Sequence, residues 1–399
     1  MATVTRKPKV FMMDLLATVP YYTAYLSRSL LKEGVNLTVG SITYYLDPDC
    51  FSSRGIKLDP GMLDIVGRFR LPKYPRRLFK LVESTLNLAA LTLRFIVSKP
   101  DIIHVQFLPM LLWRVPIDLW FVLFLQRRGA KIVLTVHDLL PHDTGEQHKQ
   151  LFLNLYNRVD AIICHSDHIA EKLALQFGIT ASKLKVIPHG PFFYDVEVSA
   201  SAHLLQSFQL DPHKLTFLFQ GILLPYKGVD LLLKAWQIVE KNSSAVQLVI
   251  AGTGSPELLE ELRTQAQQLD LQQVHFQLRF ISTDELVALY RAADVVVYPY
   301  RAVTTSGALA TGLALGKAMV ASNLTIFQEL LRNEHSALLI DPHETNQFAQ
   351  GLLRLAAEPK LRTAFSARIV EMHYGDQTWQ SIAARTVQTY ENTLQAPPR

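Results

Sequence analysis

Phe217-Leu218-Phe219-Gln220-Gly221-Ile222-Leu223-Leu224-Pro225-Tyr226-Lys227-Gly228-Val229-Asp230 is the stretch that decides how this chain is read. A β-rich apolar run reaches a glycine, bends through a proline loop, presents one lysine and opens into a helix. Such a turn aims a flexible cation and a row of backbone N–H groups at one point, which suits a phosphate. It is neither familiar phosphate loop. GxxxxGK[ST] needs Ser or Thr after the lysine, where Gly228 stands, and no GxGxxG triplet is present. Taken alone, the stretch is equally a tight strand-to-helix turn whose lysine meets solvent.

A second constellation lies downstream. Val295-Val296-Val297-Tyr298-Pro299-Tyr300-Arg301 reads as a buried strand leading into Ala302-Val303-Thr304-Thr305-Ser306-Gly307, then a small-residue helix from Ala308 to Gly316. Small residues let a helix N-terminus approach a ligand, and its unpaired amides favour an anion. Thr305 and Ser306 hydroxyls suit phosphate oxygens, and they suit an ordinary N-cap on a tightly packed helix as well. Two such turns in successive βα units point to a diphosphate.

Around these motifs, apolar β-type runs alternate with helical patterns, the mark of βαβ units and parallel sheets. Strands are expected at Val10–Met13, Val35–Val39, Ile102–Val105, Lys131–Val136, Ala161–His165 and Leu184–Pro188, with a helix opening near Pro20. A second series is expected at Phe217–Gln220, Val246–Ala251, Val274–Phe280, Val295–Tyr298, Ala318–Ala321 and Ala337–Ile340. Helices in that series begin near Val229, Pro256, Thr283 and Thr325. His104, His137, His165 and His189 fall at strand ends of the first half, where α/β sheets gather ligands. The expected fold class is α/β, two Rossmann-like domains facing a cleft. The first spans residues 1–195 and the second 196–375. A C-terminal helix within 376–399, patterned from Trp379 to Leu394, returns to the first domain.

Composition narrows the class. The chain has 399 residues, 49% hydrophobic and 19% charged, which suits two globular domains and excludes disorder. Cys50 and Cys164 are too few for a disulfide framework and read as reduced thiols of a cytoplasmic protein. No secretory h-region is evident near Met12-Met13, and Leu108–Leu125 carries Arg114 and Asp118, so it reads as one buried or interfacial helix. Residues 1–195 hold 24 Lys and Arg against 16 Asp and Glu, a net of +8, whereas residues 196–399 net −3. The excess is densest at Arg68, Arg70, Lys73, Arg76, Arg77 and Lys80, among Phe69, Leu71, Leu78, Phe79 and Leu81. That segment fits an anionic membrane surface and equally a solvated loop and helix start. No RRM, KH or zinc-finger pattern supports nucleic acid as a partner.

Taken together in order and spacing, these motifs resemble GT-B glycosyltransferases of the family 4 type, which are retaining enzymes using nucleotide-diphosphate sugars. The residues that carry the resemblance run from Gly221 through Pro225-Tyr226-Lys227-Gly228-Val229-Asp230 to Ala251-Gly252-Thr253-Gly254. They continue with Asp284-Glu285, Tyr290, Ala293-Asp294-Val295, Pro299-Tyr300, Ser306-Gly307, Gly316-Lys317 and Glu329. In the first half, Thr135-Val136-His137-Asp138 and Val186-Ile187-Pro188-His189-Gly190 match loosely.

The resemblance implies that Lys227 neutralises the donor diphosphate, with Gly221 and Gly252 beside it. It implies that Thr305 and the Ser306-Gly307-Ala308 amides hold the distal phosphate, and that Glu329 lies near the nucleotide. His137 is implied to approach the donor sugar as a neutral donor. Two departures stand out: the usual paired glutamates read Val303 and Thr311, and an arginine common after the first glycine reads Ile222. Arg301 is expected to supply the second positive charge. The loop Leu15-Leu16-Ala17-Thr18-Val19-Pro20 replaces the usual glycine loop near the acceptor.

The expectation is a metal-independent hexosyl transfer from a UDP-, GDP- or ADP-sugar, without cofactor, to a hydroxyl of a glycan, lipid-linked or envelope-type acceptor. Retention without a carboxylate nucleophile implies front-face attack. The site is expected at the inner face of a membrane. The rivals are a non-catalytic homologue that binds nucleotide sugar and a nucleotide-sugar epimerase.

Overall fold

Runs such as Val-Phe-Met-Met, Ile-Ile-His-Val and Ala-Ile-Ile-Cys are buried along their whole length, as strands covered on both faces must be. The computed structural model describes residues 7–69, 73–112, 115–140, 145–196, 208–303, 305–372 and 378–396. The chain divides into two compact units, Met1–Gly190 with Asp376–Arg399, and Pro191–Gly375.

In the first unit the strands are β1 (Lys9–Asp14), β2 (Asn36–Ser41), β3 (Ile102–Val105), β4 (Lys131–Val136), β5 (Ala161–Cys164) and β6 (Leu184–Val186). They form one parallel sheet in the order β2-β1-β3-β4-β5-β6. Its helices are α1 (Pro20–Lys32), α2 (Lys73–Val97), α3 (Pro109–Leu112), α4 (Ile117–Arg127), α5 (Lys149–Arg158) and α6 (Asp167–Phe177). Proline at the first position of α1 costs no hydrogen bond, because that amide has no partner in a helix start.

The second unit holds β7 (Leu215–Gln220), β8 (Val246–Ala251), β9 (Val274–Gln277), β10 (Val295–Tyr298), β11 (Ala318–Ser322) and β12 (Leu338–Ile340), ordered β12-β11-β10-β7-β8-β9 and all parallel. Its helices are α7 (Val229–Asn242), α8 (Pro256–Gln268), α9 (Thr283–Ala292), α10 (Gly307–Ala314), α11 (Thr325–Gln328), α12 (Thr345–Ala357) and α13 (Pro359–Glu371). Strand order reverses between β7 and β10, so this sheet has its topological switch point there. That is where open α/β sheets take their ligands.

The last helix, α14 (Trp379–Gln395), belongs to the first unit. Trp379 stacks on Tyr25 of α1, and a side chain at Gly190 would strike the Trp379 ring at 2.4 Å. Tyr390 reaches the β3 histidine: its hydroxyl lies 2.6 Å from His104 Nδ1.

Two sequence expectations are corrected. Leu108–Leu125 is not one helix but α3 and α4, because Pro116 takes the N-cap of α4 and Asp118 is buried between them. Asp118 accepts from the amides of Met110 and Leu119, and burial lifts its carboxyl to about 6. His104 is not at a strand end; it sits inside β3, fully buried, between Tyr390 and Thr135.

Candidate active site

The loops leaving β7 and β10 meet at the switch point. After β7 the chain turns at Gly221, passes a short 3-10 turn (Pro225–Lys227) and enters α7 through Gly228. Gly228 has φ +68°, and a Cβ there would stand 1.9 Å from the Pro299 carbonyl oxygen. Only glycine both adopts that backbone and lets the lysine turn press against the exit of β10. Gly252, at the end of β8, presses on Gly221 in the same way: its φ is +146°, and a Cβ there would stand 1.8 Å from the Gly221 carbonyl oxygen.

Arg301 locks this contact. Its amide donates to the Tyr226 carbonyl at 2.6 Å, one guanidinium nitrogen donates to Pro225 O at 3.1 Å, and both terminal nitrogens meet the Asp230 carboxylate at 2.7 Å. Burial alone would raise the Asp230 carboxyl; the Arg301 fork outweighs it and holds the group below its ordinary value. Arg301 therefore fastens the lysine loop, its charge matched by Asp230.

The Lys227 amine lies over the Gly221 backbone, 2.7 Å from where a side chain there would begin, and 5.2 Å from the centre of the Tyr300 ring. Among the described residues no carboxylate forms an ion pair with it. Desolvation pulls its pKa down to about 8, so the amine stays mostly charged at neutral pH and gains from an incoming anion.

Tyr300 joins the two motifs. It is fully buried and its hydroxyl makes no hydrogen bond of ordinary geometry, yet Ser306 lies close enough to ease its burial-raised pKa. Lysine, tyrosine and the start of α10 thus line one site. Ser306 is the N-cap of α10, its hydroxyl accepting from Leu309 N at 3.1 Å, while the Gly307 and Ala308 amides belong to the first turn and have no partner within the helix. Tyr290 and Tyr298 hydroxyls donate to the Ala308 carbonyl at 3.2 and 2.8 Å and fix this helix start. Thr305 is half-buried beside the cap.

Thr311 is buried, donates to the Gly307 carbonyl and accepts from Phe192 N, both helix-fixing bonds. Glu329 is exposed and closes α11 rather than opening a helix.

His137 belongs to the first unit. Its Nε2–H donates to Gln106 Oε1 at 3.1 Å, so the proton of the neutral ring is already engaged. It packs edge-on to Tyr22 and 5.3 Å from His165, which is in turn 5.2 Å from His189. Burial keeps all of these imidazoles neutral, pulling His165 to about 4 and His104 and His189 to about 3, with mutual repulsion adding to the effect at His137. A small cavity of about 30 Å³ beside His137, Gln106 and Asp138 lies at the carboxyl ends of β3 and β4.

Sequence reasoning missed Tyr300, Asp230 and Gln106. An aromatic hydroxyl next to a proline at a strand's end was the available signal for the first. Asp230 reads as an ordinary first-turn acid, and nothing local marks Gln106.

Two doubly wound units, each an open parallel sheet, define a GT-B fold. Residues 19–190 match the family described as Glycosyltransferase Family 4, and residues 203–372 match Glycosyl transferases group 1. The chain belongs to the GT-B glycosyltransferases of the family 4 type. An uncharacterized glycosyltransferase of Methanocaldococcus jannaschii is 26% identical over 64% of this chain. A D-inositol 3-phosphate glycosyltransferase of Rhodococcus jostii is 25% identical over 58%. The matches span 66% and 52% of those proteins' own lengths. Among solved structures, Anabaena HepE in complex with UDP-glucose is similar at TM-score 0.75 and 17% identity, covering 96% of this chain and 100% of HepE. The sucrose-phosphate synthase of Thermosynechococcus elongatus is similar at 0.72 and 18%, covering 97% and 99%.

Proposed function

We propose that this protein moves a sugar from a nucleotide-diphosphate donor to a hydroxyl of a glycan, lipid-linked or other envelope-type acceptor, with retention at the anomeric carbon. One observation carries the reading: a desolvated Lys227 amine, with no carboxylate partner among the described residues, stands over Tyr300, whose hydroxyl adjoins the N-cap of α10. A diphosphate fits both halves of that site. Lys227 neutralises charge as the bond to the sugar breaks, and the Gly307 and Ala308 amides hold the far phosphate. The buried Tyr300 hydroxyl, which has no acceptor among the described residues, gains an oxygen of the same diphosphate. HepE binding UDP-glucose favours uridine as the base.

Donor hydrolysis tests the reading. Slow release of nucleoside diphosphate from a UDP-sugar is expected from the native protein, and Lys227→Ala is expected to lower it about a hundredfold or more. Thermal shifts with UDP-, GDP- and ADP-glucose rank the donors, because the tighter ligand raises apparent stability more. Binding without release or transfer would establish the non-catalytic homologue instead, which Val303 and Thr311 in place of the paired glutamates make the leading rival. Absence of any nucleotide-sugar binding would overturn the site itself.

A further inference from the structure

Helix α2 is apolar on two sides. Its buried face carries Leu88, Leu91 and Phe95 together with Glu83, Ser84 and Asn87, while Leu78, Phe79, Val82, Leu86, Leu93 and Ile96 are exposed. Its polar side chains grip the preceding segment: Glu83 accepts from the Ile65 and Val66 amides, Asn87 bonds both Leu63 N and Leu63 O, and Arg94 pairs with Asp59. At 100° per residue the exposed apolar positions fall within one arc of about 120° running some 28 Å along the helix. Within that arc the remaining residues are Ala89, Ala90 and Val97, so it holds no charge. Trp120, on α4, which packs against α2, is 62% exposed as well. A face of this size and uniformity on a folded surface marks an interaction site.

The charges around it identify what it meets. Arg127 and Arg128 are exposed at the C-terminal end of the arc, where Arg128 donates to the Ile96 carbonyl. The nearby acids are engaged or buried: Asp64 with Arg68, Asp59 with Arg94, and Glu83 beneath the helix. Of the basic residues singled out in the sequence, Arg76 and Lys80 turn inward onto Tyr45, and Arg70 and the Lys73 side chain lie outside the described residues. The apolar arc, not the basic run, is thus the dominant feature, and its C-terminal end is cationic. An anionic bilayer accepts both the arc and that end. Among the described residues no helix is long and apolar enough to cross a membrane.

We propose that the exposed face of α2, with Trp120, lies flat in the headgroup boundary of an anionic membrane. The surface belongs to the first unit alone and does not depend on the transferase reading: a protein that binds vesicles but transfers no sugar sinks only the latter.

Flotation of the full chain with vesicles of phosphatidylcholine, and of phosphatidylcholine mixed with phosphatidylglycerol, tests it. The native protein is expected to float with the mixed vesicles and far less with the neutral ones. Leu86→Gln with Leu93→Gln is expected to weaken partition roughly tenfold or more while melting as the native protein does. Arg127→Glu with Arg128→Glu is expected to abolish the preference for anionic lipid. Leu78→Gln with Val82→Gln, an independent pair on the same arc, repeats the first measurement should that variant misfold. Native-like flotation of both leucine-arc variants would overturn the proposal. So would a lipid-free dimer that they dissociate, which would assign the face to a second copy.

Discussion

Arg301 shows how one residue's meaning changes once its neighbours are known. In the sequence it is a spare cation after a strand, and in the fold it is a two-pronged clamp on Asp230, with its backbone amide on Tyr226. Lysine cannot reproduce the fork. Because the pair is partly exposed, Arg301→Lys is expected to cost no more than about 1 kcal/mol, a fall in melting temperature of about 2–4 °C. The clearer effect is expected in donor KM, since the clamp sets where Lys227 stands. An unchanged KM would show that the lysine loop holds its position unaided. The turn that carries Lys227 was legible from the sequence, because Gly221, Pro225 and Gly228 mark it; that its amine is desolvated over Tyr300 was not. Nor was Tyr300, because burial and a missing hydrogen-bond partner are properties of its surroundings.

At the scale of elements, α10 explains its own composition. Gly307-Ala308-Leu309-Ala310-Thr311-Gly312 is small where it touches the sheet: a Cβ at Gly312 would stand 2.4 Å from the Tyr298 hydroxyl, which itself anchors Ala308 O. Small residues here serve packing first, and the anion site follows because packing holds the helix start in place. Gly312→Val is expected to push the helix off Tyr298 at about 1–3 kcal/mol and to weaken donor binding more than Thr311→Val does. Calorimetric titration with UDP checks the order, and equal affinities would separate the site from the packing. The strands of both sheets and the starts of α7, α8 and α9 were readable from apolar runs, prolines and caps. Helix α2 was not. It buries Leu88, Leu91 and Phe95 yet keeps a second apolar face exposed, and the contacts of Glu83 and Asn87 show which side is covered.

For the whole molecule, the two units carry different chemistry. In the first, desolvation holds His104, His137, His165 and His189 neutral, and a histidine whose folded pKa lies below its unfolded value stabilises the native state above that unfolded value. The unfolded chain binds more protons as the pH falls, so stability is lost from about pH 6.5 downward through the folded value of about 4 at His165. Thermal melts across that range are expected to show the first unit unfolding progressively earlier. His165→Gln, which keeps polarity without titrating, is expected to flatten part of the slope. A melting temperature constant from pH 7 to pH 4 would contradict the buried cluster.

The amino-acid order by itself determined two parallel sheets, their strands, and the pair of glycine-edged turns that follow β7 and β10, because hydrophobic period and backbone permissiveness are local properties. It also placed Lys227 and the Ser306 cap. Only the tertiary structure decided that these turns converge on Tyr300, that Arg301 is neutralised by Asp230, that His137 already donates to Gln106, and that α2 presents a second apolar face to solvent. Each of those rests on residues brought together from distant positions, and the free energy of a charge or hydroxyl depends on what surrounds it in space.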